Sequence, residues 1–385
     1  MEDYEIINRI GGGSFADVYK AKEKSTGDIV AIKVLKKKYN NWSECLELRE
    51  VKSLQKLHEE HLNNQKGIEN IVKLKRIVFI NESGTLNLIF EFLDRDLFEL
   101  MKSKAPKGLT ENQIRTIAYQ TLLGLSFMHK YGFFHRDMKP ENLLVVGDTV
   151  KIADFGLARE IRSIPPYTEY VSTRYYRAPE CILKSTNYNS PVDIWALGCI
   201  IAEMYLHPQP LFFGNNEKEV LFRMCSILGT PTHATWTEGM QQAKKVDIKF
   251  PSCPGVNLAE VIPQASPEAI DLMYQMINWD PSKRNTAYNL LQHPFFTKYP
   301  LYNKISDVDY SDTINSQNKK GVKRYTNNKT KMNIDSLSNS NMKASIASLS
   351  KDDESISKIL NDTEGFDKCK YTLYVMFYSD KSIEE

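Results

Sequence analysis

Residues 10–35 read IGGGSFADVYKAKEKSTGDIVAIKVL, opening on glycines and closing around Lys33 with apolar neighbours. Gly11, Gly13 and Ala16 stand at the spacing of a dinucleotide fingerprint, which tolerates alanine in third place. They fit less well the glycine-rich loop that covers a nucleoside triphosphate, because that loop carries a third glycine. Taken alone, the glycines also suit a plain surface turn. The residues after the glycines separate the three readings. A dinucleotide site needs a helix directly after the loop, so that the helix N-terminus meets the pyrophosphate. Here Ala16 to Lys22 alternates around Val18 like a strand. Ser25-Thr26-Gly27-Asp28 is turn chemistry, and Ile29 to Leu35 reads as another, mostly apolar strand. In such an arrangement the loop folds over phosphates, and a lysine on the following strand reaches them.

The chain has 385 residues, long enough for a two-lobed domain with an extension. A net charge of +2 gives no broad surface for nucleic acid or membrane, so neither partner is expected. The 6 cysteines form no C-x-x-C pair, which argues against a zinc site or disulfide framework and suits a reducing compartment, cytoplasm or nucleus. The start, MEDYEIINRI, has no basic region before an apolar core, so no signal peptide is expected. No apolar run reaches the roughly 18 residues that span a bilayer. The longest, Ile194 to Leu206, is interrupted by Glu203 and reads as a buried core helix. Residues 4–92 read as strand-rich with one helix from about Ser43 to His58, and residues 93–297 as helical with a hairpin near 143–153. A polar insertion from Glu59 to Glu69 reads as a surface loop. Residues 298–385 form a polar extension. Asn, Ser, Lys and Asp dominate it from about 303 to 364, a composition that predicts disorder. Its serine-rich part, Ser336 to Ser350, suits a solvated tail or a phosphorylation region, and the apolar Tyr371 to Tyr378 has no assigned role.

Three motifs come after Lys33 in order: His135-Arg136-Asp137-Met138-Lys139-Pro140-Glu141-Asn142, then Asp154-Phe155-Gly156, then Ala178-Pro179-Glu180. Together they mark phosphoryl transfer from Mg²⁺·ATP to a hydroxyl. That reaction needs positioning and neutralisation of phosphate charge. Lys33 is assigned to the α- and β-phosphates, and Glu50 on the first helix is the carboxylate that keeps it aimed. Asn142 and Asp154 offer oxygen ligands, which Mg²⁺ prefers. Asp137 is assigned to the substrate hydroxyl and Lys139 to the γ-phosphate, with Thr173 completing the contact to the substrate site. Lysine two places after the catalytic aspartate is the serine/threonine pattern. Around the nucleotide, Ile10, Val18 and Ala31 would cover one face of adenine and Leu144 the other. Gly11, Gly12, Gly13, Ser14, Phe15 and Ala16 would lie over the phosphates. Glu91-Phe92-Leu93 resembles a hinge with Phe90 before it, and Asp96 would reach the ribose. Between the last two motifs, Thr168-Glu169-Tyr170 is a T-x-Y lip. Phosphates there would find arginine forks: Arg49, Arg136 and Arg159 for Thr168, Arg174 and Arg177 for Tyr170.

Residues 4–297 resemble a eukaryotic protein kinase of the CMGC group, most like its RCK branch (male-germ-cell-associated kinase, intestinal-cell kinase and MOK). The resemblance is carried by LREVKSL at 48–54, DFGLAREIRSIPPYTEYVSTRYYRAPE at 154–180 and PLFFGNNEKEVLFRMCSILGTPT at 210–232. FPSCPGVNLAEVIPQASPEAIDLM at 250–273 and NWDPSKRNTA at 278–287 extend it. It implies an α+β, two-lobed kinase fold, with a strand-rich N-lobe (4–92), a helical C-lobe (93–297) and ATP between them. It also implies that Asp193 braces the catalytic loop and that Arg284 pairs with Glu180. The group implies substrates with Pro directly after the Ser or Thr. The branch implies an upstream Arg preference, with Glu141 as its candidate acceptor. An upstream kinase acting on the lip is implied as a partner. The first helix carries no cyclin-binding sequence, so no cyclin is expected. A monomer is the default, and a cilium or flagellum is a location suggested by the branch alone. The departures are Ala16 for the third glycine, Tyr175 where relatives often have Trp, and a hairpin shortened near Gly147-Asp148. Rival readings are a true MAP kinase, which shares the T-E-Y lip and would use Asp307, Asp309 and Asp312 as a docking patch, and a scaffold that has lost transfer. Intact Lys33, Asp137, Asn142 and Asp154 argue against the scaffold.

Overall fold

The structure is a computed structural model that describes residues 1–59, 65–161 and 174–298. Thr168, Tyr170, Thr173 and the extension from 299 onward lie outside the described residues. Met1–Ile305 form one compact unit. The three strands read around the glycine loop are β1 (Tyr4–Gly12), β2 (Ala16–Glu23) and β3 (Ile29–Lys38). Gly27 closes the β2–β3 turn at φ 80°, a left-handed value that glycine adopts without strain. After β3 come two helices, α1 (Trp42–Leu46) and α2 (Arg49–Leu57), then β4 (Leu74–Ile80) and β5 (Thr85–Glu91). The five strands form one antiparallel sheet in the order β1-β2-β3-β5-β4.

Alternation along β3 sorts its side chains. Val30 and Ile32 are buried with Tyr4, Ala21 and Ile89 on one face. Ala31 and Lys33 therefore share the other face, opposite Phe90 and Leu88 of β5 respectively. The single helix expected over 43–58 is broken. Leu48 is extended (φ −61°, ψ 134°), and Asn41 caps α1 by accepting from the Glu44 N–H. The break lets α2 turn Glu50, Val51, Leu54 and Leu57 inward together.

The helical lobe begins with a short strand β6 (Arg95–Asp96), α3 (Leu97–Ser103) and α4 (Glu111–Lys130), which opens on a Thr110–Gln113 capping box. Next come β7 (Phe133–Phe134), the hairpin β8 (Leu143–Val146) and β9 (Thr149–Ile152), and β10 (Arg159–Glu160), which pairs with β7. After α5 (Pro179–Ile182), α6 (Pro191–Leu206) is buried on every face from Val192 to Met204, as its apolar run predicts. The segment read as a surface loop, 59–69, is only partly described; Lys66 and Glu69 are exposed, while Gly67 and Ile68 between them are buried. Ile68 is buried, and beside it Asn70 donates to Gln120 Oε1 (3.1 Å) and the Val150 carbonyl (2.9 Å). Among the described residues no helix is long and apolar enough to cross a membrane.

Candidate active site

Lys33 on β3 donates to both oxygens of Glu50 on α2 (2.8 Å each) and to Asp154 Oδ1 (2.9 Å). Burial alone would lower the lysine pKa, but Glu50 and then Asp154 more than offset it and hold the ammonium above its ordinary value. Burial raises Glu50, and Lys33 pulls it back. Burial likewise works against the Asp154 carboxylate, but Lys33 wins and keeps it below its ordinary value. Asp154 stands at φ 61°, a conformation that a non-glycine residue keeps only where its surroundings impose it.

The loop after β7 shows the same strain at Arg136 (φ 72°), and its cause is visible. Asp193, at the start of α6, accepts the backbone N–H of His135 (2.8 Å) and of Arg136 (2.9 Å), with His129 Nε2 2.9 Å away. His135 uses its other edge: Nδ1 accepts the Asp137 N–H (3.2 Å), while Nε2 lies 2.9 Å from the Ala153 carbonyl. These bonds aim Asp137. Its Oδ2 accepts from Lys139 Nζ (3.0 Å) and Asn142 Nδ2 (3.1 Å), and Asn142 Nδ2 also donates to the Asp137 carbonyl (2.7 Å). Asp137 Oδ1 is buried and has no hydrogen-bond partner among the described residues. A buried acceptor without a donor is costly, so this oxygen is open to a donor that the described residues do not supply.

The residues present fit Mg²⁺·ATP. With the Asn142 amide nitrogen engaged, its Oδ1 is left as an acceptor alongside the Asp154 carboxylate. Among the described residues no group of three His, Cys, Asp or Glu could hold a metal by itself. One carboxylate and one amide oxygen suit Mg²⁺, which takes further oxygens from phosphate and water. Nothing lies within 4 Å of where a Cβ of Gly13 would stand, and Val18 alone approaches that of Gly11 (3.8 Å). The glycines therefore leave open room rather than fill a packing need. Ile10 is exposed, Val18, Ala31 and Leu144 are half-buried, and Phe90 and Leu93 are buried. The Glu91 side chain turns away to the Lys73 N–H (2.7 Å) and Lys151 (2.9 Å), and its backbone N–H donates to the Lys73 carbonyl (3.1 Å), so its side chain does not enter the hinge. Asp96 caps α3 by accepting the Glu99 N–H (2.8 Å).

Arg49, Arg136 and Arg159 converge. Burial, then the charges of Arg159 and Arg136, lower the pKa of Arg49. The other two arginines of the lip have partners: Arg174 donates to the Asn215 carbonyl (2.7 Å) and Arg177 to Glu217 (2.5 Å). Glu141 is exposed, and its charge acts on Glu203, a residue the motif reading passed over. Burial and, to a smaller degree, Glu141 push Glu203 up to about 7, against the hydrogen bond that Tyr176 donates to it (2.7 Å). The signal for it in the sequence was the lone charge in the apolar run from Ile194 to Leu206.

The chain matches the family described as the protein kinase domain over residues 4–296. It is 50% identical over 297 residues to the human serine/threonine-protein kinase MAK, covering 77% of this chain and 46% of that protein. Mouse serine/threonine-protein kinase ICK is also 50% identical over 297 residues, 77% of this chain and 45% of that one. Cyclin-dependent kinase F-3 of Oryza sativa subsp. japonica is 47% identical over 296 residues, 77% of this chain and 65% of that one. The chain spans about half the length of MAK and ICK. With the matched family and these relatives joined to the Lys33–Glu50–Asp154 and Asp137–Asn142 geometry, the chain belongs to the protein kinase domain family and is similar there to the RCK branch of the CMGC group.

Proposed function

We propose that this chain transfers the γ-phosphoryl group of ATP to serine or threonine hydroxyls of proteins. The observation that carries the reading is Asp137: one carboxylate oxygen is pinned by Lys139 and Asn142, and the other is buried and without a partner among the described residues. That oxygen accepts the proton-bearing hydroxyl of the substrate and orients its lone pair for in-line attack. Lys139 stands beside it as a cation for the oxygens of the transferring group. Lys33, fixed by Glu50, holds the other phosphates, and Asn142 and Asp154 hold the metal. When bound, Mg²⁺·ATP supplies the phosphoryl group and the neutralisation of its charge. Asp137→Asn keeps the shape and removes the charge. Transfer to a Ser/Thr peptide library is expected to fall by about 10²–10⁴-fold. Retained transfer would overturn the assignment.

The finer reading concerns substrate and control. Proteins with Ser/Thr-Pro sites and an upstream Arg are the substrate class, the Arg meeting Glu141 and the buried Glu203 behind it. Phosphate on Thr168 and Tyr170, added by an upstream kinase, is the activating signal. The mutual repulsion of Arg49, Arg136 and Arg159 supports it, because an anion there would relieve it. Arg174 and Arg177 would exchange their present partners for phospho-Tyr170. The closed Lys33–Glu50 pair suits a kinase that acts without a cyclin; a monomer, in cytoplasm or nucleus, completes the reading.

A further inference from the structure

The glycine-rich loop is tied down from charged side chains that the transfer chemistry does not use. Arg9 on β1 donates to Asp17 Oδ1 on β2 (2.6 Å), and Lys36 Nζ on β3 lies 3.5 Å from the same oxygen. Lys36 Nζ also donates to the Gly13 carbonyl (2.7 Å), and the Lys36 backbone N–H donates to the Phe15 carbonyl (3.0 Å). At the tip, the Gly13 N–H donates to the Ala16 carbonyl (2.9 Å). The carbonyls of Gly13, Phe15 and Ala16 are thus all engaged. The N–H groups of Ser14 and Phe15 have no acceptor among the described residues, and successive free amides are what an anion binds.

Gly12 belongs to the same arrangement. It is not one of the glycines at the fingerprint spacing, yet a Cβ there would stand 1.8 Å from Arg9 Nη2 and 2.6 Å from Asp17 Oδ1. The guanidinium crosses over the backbone at this position to reach its partner.

We propose that Arg9, Asp17 and Lys36 form a latch that holds the glycine-rich loop in its phosphate-covering conformation and so sets nucleotide affinity. The inference rests on the phosphoryl-transfer reading. Exposed ion pairs add little to the stability of a whole fold. A loop that opens locally at small free energy is biased by increments of that size. Arg9 and Asp17 clip β1 to β2, and Lys36 ties Asp17 and the Gly13 carbonyl to β3, so together they resist displacement of the loop tip away from β3. These are positioning residues, with no contact to the reacting atoms.

The sign of one substitution separates the latch from a plain charge effect. Asp17→Asn removes a negative charge near the loop. Electrostatics alone predicts tighter binding of the anionic nucleotide, whereas the latch predicts weaker binding. MgADP affinity by calorimetry, with ATP KM and kcat, would be measured for the unsubstituted chain, Asp17→Asn, Arg9→Met and the double variant. Each single variant is expected to weaken MgADP about threefold and to raise KM with kcat kept at saturating ATP. The double variant is expected to be no weaker than the worse single one, because both break the same pair. Unchanged or tighter binding in Asp17→Asn, or additive losses in the double, would overturn the latch. Absence of nucleotide binding in the unsubstituted chain would overturn the phosphoryl-transfer reading, and the latch with it.

Discussion

A carboxylate inside an apolar helix is unfavourable unless a partner accompanies it. Glu203 has Tyr176, and burial with the nearby charge of Glu141 pushes it up to about 7. The raised value sets a sign. The folded state binds the Glu203 proton more tightly than the unfolded chain does, so its stabilisation is fully present below the ordinary glutamate value. It is lost as pH rises toward about 7. The charged form that would pair with a substrate arginine grows over that same interval. Discrimination between peptides with upstream Arg and upstream Ala, measured as a ratio of kcat/KM, is therefore expected to rise as pH passes through about 7. In Glu203→Gln the ratio is expected to be flat, and a pH-dependent ratio in that variant would remove Glu203 from the recognition of arginine. At this scale Lys33, Asp137, Asn142 and Asp154 could be named because each sits in a short local motif. Glu203 was not, because its neighbours Glu141 and Tyr176 arrive from distant parts of the chain.

Elements were read well where period and turn chemistry agreed. The strands β1, β2 and β3 and the buried helix α6 track the hydrophobic pattern directly. The helix read over 43–58 misled because its apolar spacing continues through Leu48, while Asn41 and the extended Leu48 start two separate helices. Directly after the polar stretch 59–69 stands an anchor that the sequence analysis did not single out. Asn70 looks like loop chemistry, but it is 6% exposed and bridges Gln120 on α4 and Val150 on β9. Asn70→Ala leaves the Val150 carbonyl without this donor. It is expected to destabilise the fold by about 1–3 kcal/mol, read as a fall in midpoint in urea or thermal unfolding. Asn70→Asp, which keeps the volume but supplies no amide donor, is expected to fare no better. A midpoint unchanged in both would show that the anchor is dispensable.

At the scale of the whole molecule, the helical lobe is tied by Arg284 and Glu180, 104 positions apart in sequence. The guanidinium makes two bonds of 2.7 Å to the carboxylate, and both side chains are buried. Removing one member strands a buried charge, whereas replacing both with apolar groups removes the desolvation along with the attraction. Arg284→Met is expected to cost about 3–5 kcal/mol, and the double variant with Glu180→Leu is expected to recover part of it. Equal losses in the single and double variants would show that the pair is not the unit of stability.

By itself the sequence determined the class of fold and named the side chains to which the chemistry of the cleft is assigned. Residues 10–35 exclude a helix after the glycines, and the three motifs behind Lys33 name the groups that phosphoryl transfer requires. These are short-range facts, carried by residue type and spacing along one strand or loop. The tertiary structure decided which groups share an environment: Asp193 holding the strained loop at Arg136, Glu203 behind Glu141, and Arg9 and Lys36 meeting at Asp17. Burial and charge depend on distances in space between residues far apart in the chain, and no local pattern encodes them.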